Sequence, residues 1–204
     1  MKILCVGRNY AKHIEELANE RPQSPVLFAK PETAKLPLGD DFYIPEFSQD
    51  IHYEVELLVK ISKVGKHIQP KFAAKYYDEI GLGIDFTARD IQQALKEKGL
   101  PWEKAKAFDG SAVIGETWLN TSEFESVQDI HFSLQKNGRV VQEGHTGMML
   151  WKIDELIAEV SRYFTLKIGD VIFTGTPAGV GKVEAGDRLA GFIEKKSIFT
   201  VSIR

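Results

Sequence analysis

Hydrophobic and polar positions follow a short period along most of the chain, which predicts strands more often than helices. Apolar runs at residues 3–6, 26–30 and 51–61 stop at or shortly before glycine or proline, as strands commonly do. Similar runs predict further strands at residues 79–86, 132–135, 139–142 and 171–174 and within 189–203. Asn137-Gly138 separates two of these runs and is a strong short signal for a hairpin.

A helical period is confined to a few segments, at residues 10–19, 71–79, 87–98 and 152–163. Thr87 with Asp90 three positions later resembles a capping box, and Gly99 before Pro101 predicts the end of that helix. Its apolar stripe is Ile91, Ala94 and Leu95, and the stripe of the last helix is Ile153, Leu156, Ile157, Val160 and Phe164. Strands dominate and helices are interspersed, so the predicted class is β-rich α+β.

Composition narrows the choice of function. A chain of 204 residues with 43% hydrophobic side chains predicts one domain, residues 1–204, with a sizeable core. Lys and Arg number 26 against 29 Asp and Glu, a net charge of −3 without runs of like charge, so we expect no nucleic-acid or membrane partner. The single cysteine, Cys5, excludes an internal disulfide and a cysteine-rich zinc site. No segment is apolar enough to span a membrane, so we expect a cytoplasmic protein.

The segment His52-Tyr53-Glu54-Val55-Glu56 carries the first chemical signal. In a strand, His52, Glu54 and Glu56 share one face, and the two carboxylates lie about 6–7 Å apart and repel each other. An exposed polar face in water is one explanation. A hard divalent cation is the other, and it requires a third acidic ligand.

Asp85, at the end of a glycine-flanked apolar strand, is the candidate for that ligand. Alone it would be an acid flanking a helix start. With Glu54 and Glu56 it would make a three-carboxylate site suited to Mg²⁺ or Mn²⁺, with His52 as a partner that orients a carboxylate or as a fourth ligand. The hypothesis requires that the three carboxylates face one another and that no lysine head group takes the place of the ion.

Two further groups allow more than one interpretation. His13 and Glu16 are three residues apart, so on a helix the carboxylate can orient the imidazole as a base that activates water; a chance pair on a solvated face is the alternative. Lys106 lies among aromatic residues, either as a surface side chain or as a cation for a developing enolate or carboxylate.

Two glycine-rich stretches fail as nucleotide-binding motifs. Gly181-Lys182 lacks the earlier glycine and the following Ser or Thr of a phosphate loop, since those positions hold Thr176 and Val183. Gly81-Leu82-Gly83 has Phe86 where a dinucleotide fingerprint needs its third glycine. A nucleotide-dependent enzyme is therefore not expected, although the backbone amides of the loop at residues 174–182 can bind a carboxylate.

Taken together, these motifs resemble those of the fumarylacetoacetate hydrolase family, in its short acylpyruvate hydrolase and oxaloacetate decarboxylase branch. The resemblance spans almost the whole chain, in the segments Gly7-Arg8-Asn9-Tyr10 with His13, Pro25-Val26-Leu27-Phe28 with Lys30-Pro31, His52-x-Glu54-x-Glu56, Asp85-Phe86-Thr87-Ala88-Arg89-Asp90, Lys98-Gly99-Leu100-Pro101-Trp102 with Lys106, and Thr174-Gly175-Thr176-Pro177 to Gly181.

The resemblance implies a mixed β-sandwich roll, a homodimer, and a lid at residues 8–25 that closes over the substrate. Its implied metal ligands, for Mg²⁺ or Mn²⁺, are Glu54, Glu56 and Asp85. It also implies that His13 and Glu16 activate a water that Gln92 positions, and that Lys106, Thr176 and Arg89 contact the substrate.

The implied reaction is hydrolysis of the C3–C4 bond of an acylpyruvate, a 2,4-dioxo acid, to pyruvate and a carboxylic acid, through an enolate that a Lewis acid stabilises. Oxaloacetate presents the same 2-oxo acid end, so decarboxylation of oxaloacetate, or isomerisation or decarboxylation of unsaturated hydroxy-dioates from aromatic-acid breakdown, is the enzymatic alternative. A metal-stabilised binding protein without activity is the non-enzymatic one.

Overall fold

The computed structural model describes residues 1–17 and 20–204. Its strands are β1 (Ile3–Gly7), β2 (Val26–Lys30), β3 (Ile51–Tyr53), β4 (Val55–Ile61), β5 (Tyr77–Asp85), β6 (Thr87–Ala88), β7 (Ala112–Ile114), β8 (Leu119–Asn120), β9 (His131–Lys136), β10 (Arg139–His145), β11 (Val171–Phe173), β12 (Gly181–Lys182), β13 (Arg188–Ile193) and β14 (Lys196–Ser202). Its α-helices are α1 (Ala11–Glu16), α2 (Pro70–Ala73), α3 (Arg89–Glu97), α4 (Glu103–Lys106) and α5 (Ile153–Tyr163). Among the described residues, no helix has the length and apolarity needed to cross a membrane.

The strands form a large mixed sheet and two smaller sheets. The large sheet has the order β2-β1-β11-β4-β5-β7, with β8 also paired to β5, and only its β1–β11 pair is parallel. A four-stranded antiparallel sheet has the order β10-β9-β13-β14, and a three-stranded one the order β12-β3-β6. This strand-rich architecture with few short helices confirms the predicted β-rich α+β class and the mixed β-sandwich roll.

The core follows from the two-residue period of the strands. On β4, Leu57 belongs to the larger apolar cluster, which lies between the large sheet and the four-stranded sheet, whereas Leu58 joins the smaller cluster on the opposite face. Close approach of the two sheets requires small residues. A Cβ at Gly191 of β13 would lie 2.9 Å from Leu82 Cδ2 of β5. The central strands β4 and β5 are therefore buried on both faces, which holds the residues at their ends rigidly.

Most predicted strands and the helix α5 are confirmed, including the hairpin at Asn137-Gly138, where both residues have positive φ. Phe164 is the exception on α5, because it lies beyond the last helical residue and is 36% exposed. The predicted helix 10–19 is observed as Ala11–Glu16, and residues 18 and 19 lie outside the described residues.

The predicted helix 71–79 is wrong beyond residue 73. Tyr77 already belongs to β5, where it pairs with Ile61, and Glu79 pairs with Lys60, whose ammonium lies 2.6 Å from the Glu79 carboxylate. Cross-strand pairing with β4 therefore outweighs the local helical pattern.

The predicted capping box at Thr87 and Asp90 is also wrong. Helix α3 begins at Arg89 without a side-chain cap, because the Thr87 hydroxyl accepts a 2.6 Å hydrogen bond from Lys106 and Asp90 accepts one from Ser48. The predicted apolar stripe is confirmed only in part, because Ile91 packs against the larger apolar cluster and Leu95 is partly buried. Ala94 is exposed, and the buried residue of this helix is Gln92.

Candidate active site

The chain changes sheets at Glu54, and this change brings the acidic residues together. The predicted single strand 51–61 is two strands, because β3 pairs with β6 and β12 whereas β4 pairs with β5 and β11. Glu54 lies between them, and its carbonyl accepts a hydrogen bond from Asp85 N at 2.9 Å. Glu54, Glu56 and Asp85 are all buried, and their potential ligand oxygens lie within 4.8 Å of one another. The three carboxylates therefore converge, as the metal hypothesis requires.

Two buried lysines accompany these carboxylates. The Lys106 ammonium lies 2.7 Å from both Glu54 Oε2 and Asp85 Oδ2. The Lys30 ammonium lies 2.7 Å from Asp85 Oδ1 but outside hydrogen-bond geometry, so this buried oxygen accepts no hydrogen bond. Arg89 donates to Glu54 Oε1 from the side of helix α3. Cations thus neutralise Glu54 and Asp85 but form no ion pair with Glu56 among the described residues.

The pKa values reflect this uneven distribution of charge. Burial opposes ionisation of Glu54, but Lys106 and Arg89 outweigh it and hold the pKa of Glu54 well below its usual value. Burial and the charges of Asp85 and Glu54 raise the pKa of Glu56 well above its usual value. Burial also lowers the pKa of Lys106, yet the two carboxylates beside it raise this pKa overall. Glu56 is therefore the carboxylate without an ion-pair partner among the described residues, and the charge of Lys106 offsets only part of the rise in its pKa.

These residues fit a hard divalent cation. Three buried carboxylates supply the oxygen donors that Mg²⁺ and Mn²⁺ prefer, and Glu56 is short of positive charge. The requirement that no lysine take the place of the ion is not fully met, because Lys106 bonds two of the three carboxylates. Lys106 does not close the set, since Glu56 accepts its hydrogen bond from the backbone N–H of Gly175, at 2.7 Å. A bound cation would have to share or displace the oxygens that Lys106 holds.

The pair formed by His13 and Glu16 lies on helix α1 beside this acidic centre. His13 is buried, and its Nδ1 is 3.2 Å from Glu16 Oε2. The other oxygen of Glu16 accepts a 3.0 Å hydrogen bond from the backbone N–H of Gly179. The carboxylate is thus held from two sides and can orient the imidazole, which leaves Nε2 for a proton transfer.

One cleft, enclosing about 450 Å³ of space open to solvent, unites the site. The predicted site residues that line it are His13, Glu54, Glu56, Asp85, Arg89, Gln92, Lys106 and Thr176. Glu16 reaches it through His13. Arg8 and Lys96 add positive charge to the wall, where burial, Arg8 and Arg89 lower the pKa of Lys96. The cleft therefore offers positive charge to an anionic ligand next to the three carboxylates.

Some predicted contacts differ from those observed. His52 Nε2 donates to Asp50 Oδ1 at 3.0 Å rather than orienting a carboxylate of the cleft, and His52 does not join the group that can hold a metal. The reason is that β3 turns the His52 side chain, which is 19% exposed, toward Asp50 just before the strand. The amides of the loop at residues 174–182 do bind carboxylates, but these are the chain's own Glu56 and Glu16.

Two positions in the site escaped sequence reasoning. Lys30 is buried, and its ammonium donates to Ser111 and to the backbone carbonyl of Lys106. Its position at the end of the apolar run 26–30 was the feature of the sequence that could have indicated a buried lysine. Gln142 gave no signal. Its buried amide accepts from Val55 N and donates to Thr176 Oγ1 and to the carbonyl of Pro177, each at 2.9 Å. Since Gln142 donates to it, the Thr176 hydroxyl must accept there, and its own proton points elsewhere.

Comparison with known proteins identifies the family of the chain. The family model described as fumarylacetoacetate (FAA) hydrolase, C-terminal, matches residues 2–203. Oxaloacetate tautomerase YcgM of Escherichia coli (strain K12) is 43% identical over 200 residues, which cover 98% of this chain and 91% of that protein.

Solved structures agree as well. A fumarylacetoacetate hydrolase family protein from Yersinia pestis superposes with a TM-score of 0.94 at 40% identity, covering 100% of this chain and 93% of the other. Fumarylpyruvate hydrolase from Pseudomonas aeruginosa, in complex with Mn²⁺ and pyruvate, superposes with a TM-score of 0.92 at 36% identity, covering 100% and 89%. The chain therefore belongs to the fumarylacetoacetate hydrolase family.

Proposed function

We propose that the protein is a hydrolase dependent on Mg²⁺ or Mn²⁺ that cleaves the C3–C4 bond of acylpyruvates to pyruvate and a carboxylic acid. The observation that carries the proposal is that His13, held by Glu16, opens into the same cleft as Glu54, Glu56 and Asp85. A base for water and a set of hard oxygen ligands are the two requirements of this chemistry. The Mn²⁺ and pyruvate bound to the Pseudomonas aeruginosa relative support the choice of metal and product.

In this proposal the chain provides the base, the positioning and the charge. His13 takes a proton from water, and Glu16 stabilises the imidazolium that results. Glu54, Glu56 and Asp85 would hold the cation, which would supply Lewis-acid stabilisation of the negative charge on the enolate when bound. Burial of His13 in the cleft wall fixes the imidazole in place for this proton transfer.

The remaining residues of the cleft contact the substrate in this proposal. Lys106, already paired with two carboxylates, presents a cation at the place where negative charge develops. The Thr176 hydroxyl accepts from Gln142 and donates over 3.5 Å to the Pro177 carbonyl, a long bond that a substrate oxygen can replace. Gln92 positions the attacking water, and Arg89, fixed against Gln92 Oε1 at 2.6 Å, contributes positive charge to the substrate carboxylate.

We further propose that residues 1–204 act as one catalytic domain and that residues 8–25 form the lid, because His13 and Glu16 both lie on this segment. The homodimer also remains a prediction, which light scattering coupled to size exclusion would test.

Activity on oxaloacetate is the second candidate, and the 43% identity to an oxaloacetate tautomerase favours it. Tautomerisation or decarboxylation of oxaloacetate passes through the same type of enolate but needs no attacking water. The same holds for isomerisation of unsaturated hydroxy-dioates. The two candidates therefore differ in their dependence on His13 as a base for water.

Product analysis of purified protein with acetylpyruvate, fumarylpyruvate and oxaloacetate, each with Mn²⁺, tests the proposal. We expect His13→Ala to slow acylpyruvate hydrolysis by about 10²–10⁴-fold, the usual contribution of a general base. Lys12→Ala, one position earlier and exposed, is the control. Mn²⁺ binding should persist in both variants.

Undiminished hydrolysis in His13→Ala would reject the assigned base. Turnover of oxaloacetate alone would establish the second candidate instead. Metal-dependent melting without turnover of any of these compounds would indicate a binding protein.

A further inference from the structure

A second group of metal-binding side chains lies at the open end of the β9–β10 hairpin. His131 on β9 and His145 on β10 are direct cross-strand partners. Their imidazole rings stack, with centroids 4.3 Å apart and planes inclined by 11°. Asp129, just before β9, places Oδ1 2.7 Å from His145 Nε2. One potential ligand atom from each of the three side chains lies within 4.8 Å of the others.

The donor set differs in kind from the three carboxylates of the active site. Two imidazole nitrogens and one carboxylate oxygen are a set that suits Zn²⁺, Ni²⁺ or Cu²⁺, whereas Mg²⁺ prefers oxygen donors alone. Bonds of about 2.0–2.2 Å to a tetrahedral ion place the ligand atoms roughly 3.3–3.5 Å apart. In the structure these ligand atoms are up to 4.8 Å apart, and rotation of the side chains alone would bring them to this distance. The Asp129 and His145 side chains are 75% and 30% exposed and have room to rotate.

The backbone beneath these side chains is held in place. Ile130 N donates to the buried Thr146 Oγ1 at 2.9 Å, and Thr146 N donates to the Ile130 carbonyl at 3.0 Å. These reciprocal bonds fix the residues next to His131 and His145. The His145 ring also lies directly over Gly147, where a Cβ would come within 2.7 Å of its Cε1. The ligands are thus presented by a rigid pair of strands, which lowers the ordering cost of binding an ion.

An ion at this place would be reached from its own cleft. His131 and His145 line a cleft enclosing about 800 Å³ of open space, together with Tyr10, Lys12, Met148 and Pro177 among others. Among the described residues, its lining shares no member with that of the active-site cleft.

We propose that Asp129, His131 and His145 form a second site, selective for a transition-metal ion of the Zn²⁺ type and open to water or an anion at its remaining position. The site does not depend on the proposed hydrolase activity. It uses three protein ligands, the number found where zinc keeps an open position.

The test is titration with Zn²⁺ by calorimetry in excess Mg²⁺, which is added to compete for the three carboxylates of the active site. We expect one equivalent of Zn²⁺ to bind, with affinity lowered by roughly tenfold or more in His131→Ala and in His145→Ala. His67→Ala, which removes an exposed histidine elsewhere, should bind Zn²⁺ as the unaltered protein does.

A second readout separates these ligands from the carboxylate site. Cu²⁺ bound to the unaltered protein should show nitrogen hyperfine splitting in its electron paramagnetic resonance spectrum, and the double variant at His131 and His145 should lose it. Absence of Zn²⁺ binding in excess Mg²⁺ would overturn the proposal and leave His145 and Asp129 as a surface ion pair. Zn²⁺ binding unchanged in the double variant would overturn it as well.

Discussion

Replacing Lys106 by Met tests whether a metal ion or this lysine balances the buried carboxylates. Met keeps most of the side-chain volume and removes the ammonium that lies 2.7 Å from Glu54 and Asp85. Removing one partner of a buried ion pair costs about 3–5 kcal/mol, because the remaining charge is left without a counter-ion. For a chain of this size about 1 kcal/mol corresponds to roughly 2–4 °C in Tm, so we expect the metal-free variant to melt roughly 6–20 °C lower.

A divalent cation should reverse much of this loss. An ion at about 100 to 1,000 times its Kd stabilises the folded state by roughly 2.7–4.1 kcal/mol. In the variant the ion no longer competes with Lys106 for two carboxylates, so both its affinity and the rise in Tm should exceed those of the unaltered protein. Activity should fall in the same variant, because Lys106 is also the proposed cation for the substrate.

Differential scanning calorimetry in EDTA, and then with Mg²⁺ or Mn²⁺, measures both effects. Lys104→Met is the matched control, since Lys104 lies on the same helix but is exposed, and it should melt as the unaltered protein does in both conditions. If Lys106→Met is destabilised and neither ion raises its Tm, the lysine alone is the counter-ion of the carboxylates. The metal hypothesis, and the hydrolase with it, would then be refuted.

Three further predictions concern stability. Gln142→Leu leaves the buried Val55 N–H without an acceptor, so the free energy of unfolding in urea should fall by about 2–3 kcal/mol; no change would mean that this amide finds another partner. A Cβ at Gly83 would lie 2.2 Å from the backbone oxygen of Val113, so Gly83→Ala should cost about 3 kcal/mol by the same measurement, and a neutral result would contradict the tight pairing of β5 with β7. Burial raises the pKa of Asp170, but hydrogen bonds and its lysine partner outweigh burial and lower this pKa overall, so its stabilisation is present above about pH 4 and lost on acidification. Asp170→Asn should therefore lower stability at pH 7 more than at pH 3, which denaturation at the two pH values would show; equal losses would contradict the assignment.

Local sequence was sufficient to predict a strand, turn or helix wherever the pattern of the segment and its tertiary surroundings favour the same structure. The apolar run of β1, the Asn137-Gly138 turn and the stripe of α5 each specify one element, and the structure has all three. Among the candidate site residues, the carboxylates and His13 were proposed from their short spacings in the sequence, whereas Gln92, Arg89 and Thr176 came only from the family resemblance. Their roles remain predictions until the variants above are measured.

Tertiary structure decided what each buried polar group is bonded to. Thr87 does not cap α3, because the Lys106 ammonium, 19 residues away in the chain, takes its hydroxyl. Glu54 interrupts a predicted strand, because the segments on its two sides pair in different sheets. Gln142 joins the site through partners 87 and 34 residues away. The physical reason is common to these cases: a buried donor or acceptor must find a partner, and which partner is near depends on how distant segments pack rather than on its neighbours in sequence.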